Sequence, residues 1–243
     1  MNNTIDLLLR HRSIRTFADK PVPPGDIRKA VVAGQAASTS SAVQACSLLQ
    51  VTRPEERAKL VALTGGQAKV ASCGAFFVIC GDVRRHRLLC ERAAAAYDAR
   101  LEAFLVATID ASLFAQNLVI AFESMGYGIC YIGGLRNKLS EVDALLALPH
   151  GVYPLYGLCV GVPAEAPNAR PRLPVEAVFF EDRYPTDEEM LAKVDVYDDT
   201  YRAYRLEQAG KARDWSSSMA RKFAQPARTD VADFYRSKGA DLT

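Results

Sequence analysis

His11, Arg12, Ser13 and Arg15 crowd three ionisable side chains and a hydroxyl into five positions, directly after the apolar run TIDLLL. Arginine offers a planar fork of donors that matches phosphate oxygens, and a nearby hydroxyl adds one more. Alternate residues of an extended segment face the same way, so His11, Ser13 and Arg15 share one side and Arg12 and Ile14 the other. That pattern suits an anion site. On this segment alone, a solvated basic turn after a helix is the equal alternative.

A second basic pair, Arg170 and Arg172 in ARPRLP, repeats the i, i+2 spacing, and Pro171 and Pro174 stiffen the loop. A stiff loop loses less entropy when it orders around a ligand. TSSAVQ (39–44) and TGGQ (64–67) are loops with hydroxyls, amides and exposed backbone donors. YIGGLR (131–136) sets Gly133 and Gly134 after a strand, where a flat ligand could approach the backbone closely. The chain has no G-x-S-x-G, no Walker loop, no H-E-x-x-H and no Cys/His pair at metal-ligand spacing. His86 in RRHR and His150 in PHG have no neighbouring nucleophile and are expected at the surface. Chemistry would then have to come from a bound cofactor.

The elements that must position these residues alternate. Helices are expected at 4–10 (N-cap Asn3 or Thr4), from Pro24 to about Ala36, at 54–63, 84–97 and 101–125, and in KLSEVDALLAL (138–148). Strands are expected in SLLQVTR, GICYI and YPLYGLCVGVP, and in AFFVICGDV, whose unbroken apolar run predicts burial on both faces. Gly126 is a plausible cap for the long apolar helix. The pattern is that of an α+β or α/β domain with one central sheet, and the order alone suggests parallel strands. The core is expected to end near residue 163, followed by a proline-rich connection. From residue 185 the character changes. Residues 181–199 carry eight acidic side chains against two basic, and 200–228 seven basic against two acidic. This tail reads as amphipathic helices.

A net charge of +2 over 243 residues is too mild for a nucleic-acid binder. MNNTIDLL lacks the basic and apolar regions of an export signal, so none is expected. Residues 104–122 are apolar enough to suggest a membrane span, but Asp110, Gln116 and Asn117 near the middle favour a buried helix in a core or subunit interface. The six cysteines form no C-x-x-C pair and read as reduced, mostly buried residues of a cytoplasmic protein.

Taken in order, HRSIR, S-S-x-x-Q near 40, TGGQ at 64, YIGGLR at 131, LYGLCVGVPA at 155 and RPRLP at 170 resemble the FMN-dependent NADPH nitroreductase A and flavin reductase P family. The resemblance runs along essentially the whole chain and includes R-D-W-S at 213–216. It implies the nitroreductase fold: an α+β architecture whose central mixed, mainly antiparallel sheet lies within helices, with a C-terminal helical extension, as an intertwined homodimer. The implied division is an FMN-binding core at 1–163, a loop with phosphate-binding arginines at 164–184, and an extension at 185–243 reaching over the partner subunit and the NADPH site.

The resemblance also implies residue roles. His11, Arg170 and Arg172 surround the FMN phosphate with Ser13 close by, Arg12 counts among the cofactor-binding residues, and Arg15 reaches the pyrimidine edge of the flavin. Thr39 and Gln67 hydrogen-bond the polar edges, and the backbone from Tyr131 and Ile132 to Gly133 and Gly134 lies by N5. Ser40, Ser41 and Arg136 line the substrate face, and Lys211, Arg213 and Arg221 take NADPH. The implied activity is hydride transfer from NADPH to flavin N5 and two-electron delivery to nitroaromatics, quinones or similar acceptors by a ping-pong mechanism. A flavin reductase serving a monooxygenase, or a flavin-binding sensor without turnover, are the alternatives.

Overall fold

Every residue of the strand AFFVICGD is buried, and its alternation feeds two cores at once. Phe76, Val78 and Cys80 pack on one side and Ala75, Phe77 and Ile79 on the other. The structure, a computed structural model, describes residues 3–243. The first two residues of MNNTIDLL lie outside them.

Its elements run α1 (Asn3–Leu9), α2 (Pro24–Gln35), β1 (Cys46–Val51), α3 (Pro54–Leu63), α4 (Lys69–Ser72), β2 (Ala75–Asp82), α5 (Arg84–Arg92), α6 (Leu101–Ser124), β3 (Gly128–Ile132), α7 (Leu139–Leu146) and β4 (Val152–Gly161). α8 (Asp187–Ala209), α9 (Trp215–Ala224) and α10 (Val231–Ser237) follow. The strands form one sheet in the order β1-β2-β4-β3, and each pairing is antiparallel. The parallel sheet suggested by element order is therefore wrong, and the resemblance is right. A parallel component comes from Ser13, which bridges Ile129 at the β3 edge.

α6 buries Ala107, Asp110, Ala111, Phe114, Ala115, Leu118, Val119 and Phe122 against the sheet. Truncating Phe122, wholly buried beside Phe77, removes roughly 3–5 kcal/mol by the usual cost of a core cavity. The helix's other face shows Leu101, Leu105, Ile109 and Leu113 to solvent at four-residue spacing, with Ile109 54% exposed. Gly126, at φ +87°, ends the helix region as expected.

Two details differ from the sequence reading. α5 stops at Arg92 instead of continuing to 97, because Ala94 turns left-handed and the Ala95 N–H returns to the Cys90 carbonyl. The half-buried Tyr97, packed against the core, overrides the helix propensity of the alanine run. The chain also divides differently. Residues 1–167 and 228–243 form one unit, and 168–227 another. The C-terminal α10 thus belongs to the first unit: Phe234 and Tyr235 are buried, the Tyr235 hydroxyl donates to the Pro154 carbonyl at 2.8 Å, and Lys238 pairs with Asp143 at 2.7 Å. No periodicity distinguishes this helix from α8 and α9, so only its contacts reveal its allegiance.

Cys73, Cys80, Cys130 and Cys159 are buried free thiols of one core, and burial pushes the Cys80 thiol up to about 12. They behave as small hydrophobes.

Candidate active site

The segment 11–17 lies as a strap along the sheet edge. The Ile14 N–H donates to the Ile129 carbonyl at 2.8 Å, and Phe17 bridges Pro163. The Ala18 N–H reaches Val162 at 2.9 Å, and the Ala164 N–H returns to Thr16 at 3.0 Å. Ile14 is buried over Gly128, where an added Cβ would stand 2.6 Å from the isoleucine Cγ1. The strap can lie this close because position 128 has no side chain. The predicted alternation holds in one respect: Ile14 faces inward, while His11 and Ser13 are half-buried and Arg15 is exposed.

Two carboxylates organise the strap, and the sequence reading named neither. Glu165 accepts from the backbone N–H of Arg15, from the Thr16 N–H at 3.0 Å and from the Thr16 hydroxyl at 3.3 Å. The Arg15 N–H is the main reason its carboxyl sits below the usual carboxylate range. Arg15 Nη1 also donates to the Ser13 carbonyl at 3.2 Å. At the other end, His11 Nδ1 lies 2.7 Å from Glu123 Oε1. A carboxylate there requires the proton on Nδ1 and leaves Nε2 as the outward ring nitrogen.

At the far end of β3, Gly133 begins a 3₁₀ turn. Gly134 packs so tightly on TGGQ that an added Cβ would stand 2.5 Å from the Thr64 carbonyl oxygen. Gln67 donates to that carbonyl at 2.8 Å, and the buried Thr64 hydroxyl donates to Leu60 at 2.7 Å. The structure therefore brings Gln67, Gly133 and Gly134 together. Tyr131 is exposed and meets Tyr156 edge-to-face at 5.4 Å. Arg136, expected on the substrate face, is half-buried and donates to the Leu155 carbonyl at 2.7 Å.

The third piece is the loop bearing Thr39, Ser40 and Ser41. Ser41 (φ 45°), Ala42 (φ 58°) and Gln44 (φ 56°) are left-handed without being glycine. Each such residue costs roughly 1–2 kcal/mol. The loop is held from three sides. Asp110 accepts from the Ser40 and Ala45 N–H groups at 3.0 Å each. His86 Nε2 donates to the Val43 carbonyl at 2.7 Å, and Arg85 donates to Gln44 and Cys46 at 3.3 and 2.6 Å. His86 is thus half-buried and structural, not the surface histidine that was expected. Asp110 and Glu123 are 13 residues apart on α6, so the anchors of loop and strap are roughly 20 Å from each other. Within one chain the strap and the serine loop are therefore separate.

In the second unit, Arg170 and Arg172 flank Pro171, whose carbonyl accepts from the Tyr197 hydroxyl at 2.8 Å. Both guanidiniums are exposed. Burial, and then Tyr201, raise the Tyr197 phenol, with Arg172 and Arg170 opposing them. Thr186 and Glu189 form a capping box that starts α8. Asp198 fastens α9 by accepting from the Ser216 N–H at 2.9 Å and from its hydroxyl. Lys211, Arg213 and Arg221 are exposed around this junction.

A helix-wrapped antiparallel sheet, edged by a basic strap and a two-glycine turn, defines a class: the chain belongs to the nitroreductase family. The family model matches residues 8–162, and the nitroreductase family C-terminal domain matches 170–243. The chain is 43% identical to the FMN reductase (NADPH) of Bacillus subtilis and 39% identical to the oxygen-insensitive NADPH nitroreductase of Salmonella typhimurium, over 98% of each chain in both cases. The solved structure of the NfrA1 nitroreductase from B. subtilis superposes with a TM-score of 0.95 at 41% identity, covering 98% of this chain and 99% of that one.

Proposed function

We propose that this protein is an NADPH-dependent FMN oxidoreductase working as a homodimer, with the flavin held between the strap of one protomer and the serine loop of the other. Bound FMN would supply the chemistry, accepting a hydride from NADPH and passing two electrons to a nitroaromatic, a quinone or a similar acceptor in a ping-pong cycle. The donor set fits that group. Beside the His11 ring, the Ser13 hydroxyl and the guanidinium of Arg15 offer neutral and cationic donors to a phosphate and to an anionic ring edge. Gly133 and Gly134 leave backbone amides uncovered, and Gln67 is fixed beside them by Thr64. Arg170 and Arg172 complete the phosphate set, and Lys211, Arg213 and Arg221 bind NADPH.

The residues act by binding and preorganisation. Glu165 holds the strap backbone so that Arg15 presents its charge without reorganising, which is the economical way to stabilise negative charge that develops on a ligand. Side-chain acid–base chemistry is not required, since solvent supplies protons.

The observation that carries the dimer is the roughly 20 Å separation of the strap and serine-loop anchors along α6, whose exposed face carries a stripe of Leu105, Ile109 and Leu113 around the Asp110 end. A two-fold pairing of α6 helices covers that stripe and sets the serine loop of each protomer against the strap of the other. The free thiols are consistent with a cytoplasmic location.

The test is direct. Purified protein with FMN should be yellow, and anaerobic NADPH should bleach it, with oxidation restored by a quinone. Protein that binds no FMN ends the proposal. Flavin that binds but stays oxidised supports a sensor, and much faster turnover of free FMN than of quinone supports a flavin reductase for a partner enzyme.

A further inference from the structure

We infer that Asp110 is a positioning residue for the acceptor site, acting through the Thr39–Gln44 loop; this rests on the reading that the loop faces the flavin. Asp110 is wholly buried in a mainly apolar helix, and an ionisable side chain there needs partners. Its partners are both backbone N–H groups that bracket the left-handed run: Ser40 before it and Ala45 after it, each at 3.0 Å. One carboxylate thus closes the loop like a clasp. Only a carboxylate can do so, because both of its oxygens accept and both groups facing it donate. An asparagine would turn an N–H₂ group toward one of the donors.

The conformation so held is not one that the sequence SSAVQ favours, since three of its residues lie in a backbone region that suits glycine. Without the clasp the loop relaxes, and Ser40 and Ser41 leave the positions from which they meet a ligand. Asp110 is wholly buried and acts through the loop backbone. Its effect therefore falls on both ligands that meet the loop: on the acceptor's KM first, and less strongly on flavin affinity, because the strap holds the flavin as well.

The experiment compares wild-type, Asp110→Asn, Ala42→Val and Ala42→Gly holoenzymes. Flavin absorbance and Tm are recorded first, then hydrogen–deuterium exchange over residues 39–45, then steady-state kinetics with NADPH and 1,4-benzoquinone. Asp110→Asn should speed exchange at Ser40 and Ala45 about tenfold and raise the quinone KM about five- to tenfold, with FMN affinity, measured alongside, lowered by a smaller factor. Ala42→Val places a branched residue in the left-handed region and should raise the KM in the same direction without touching Asp110, while Ala42→Gly should not. Unchanged exchange in Asp110→Asn overturns the inference, as does faster exchange with unchanged kcat/KM. If Asp110→Asn does not fold, the Ala42 pair decides: a valine variant with wild-type kcat/KM overturns it. A wild-type protein without bound flavin contradicts the proposed function instead, before any variant is compared.

Discussion

The strap at 11–17 and the basic stretch at 211–213 hold similar charges in opposite ways. The strap is pinned by backbone bonds to Ile129, Val162 and Ala164, and by carboxylates at both ends. Lys211 and Arg213 are exposed and make no hydrogen bond or ion pair among the described residues; the order around them stops at Asp214, which Arg202 holds at 2.8 Å. Fixed charges suit a cofactor that stays, because the cost of ordering was met on folding. Loose charges suit a cosubstrate that must leave in every cycle.

The largest effect that sharpens this contrast is expected from Arg15→Ala. Loss of a preorganised charge should slow flavin reduction by NADPH roughly 10–100-fold in stopped flow, and Arg12→Ala much less. Equal effects at the two arginines would erase the distinction within the strap. Next comes Glu165→Gln, which keeps one good acceptor but loses the charge. FMN affinity measured by fluorescence titration should fall about three- to tenfold. A smaller change is expected from joint replacement of Lys211 and Arg213 by alanine: NADPH KM rises about two- to fivefold, more at low salt than at high, with flavin content intact. A loss of flavin there would show that the two regions are not functionally distinct.

The smallest effect is on acid stability. The folded Glu165 carboxyl lies below its unfolded value, so its contribution is present above that value, roughly pH 4.3, and is lost as pH falls through the lowered folded value. Glu165→Gln should therefore lower Tm slightly at neutral pH, where the contribution is present, and converge with wild type at the acid end, so that the acid limb of the Tm-against-pH curve is flatter.

Much of the fold was legible because burial writes itself into local pattern. AFFVICGD reads as a strand buried on two faces and is one, and the run ending at Gly126 reads as a helix of a core or subunit interface and is a helix with one face buried in the core. Strand order is not local. The arrangement β1-β2-β4-β3 rests on pairings such as Phe77 with Leu158, across 81 residues, which no window contains. The site divides the same way. HRSIR, TGGQ and YIGGLR carry their donors in plain view. Glu123 and Glu165, which aim those donors, are isolated carboxylates more than a hundred residues from their partners in sequence. Asp110 was visible only as an anomaly in an apolar run, an argument against a membrane, and its two amide partners give that anomaly a cause.

Gly128 carries a last consequence. Ile14 fills the volume that a side chain at 128 would need, so the two positions behave as one volumetric locus divided between distant parts of the chain. A methyl added at 128 cannot be absorbed locally; it lifts the strap, and Arg15 with it, by a fraction of an ångström. With Arg15 at the flavin as proposed, substitution at this neutral, buried glycine would shift the flavin redox potential without altering any charge. Relief should come from trimming Ile14 to valine or alanine and from no other single position.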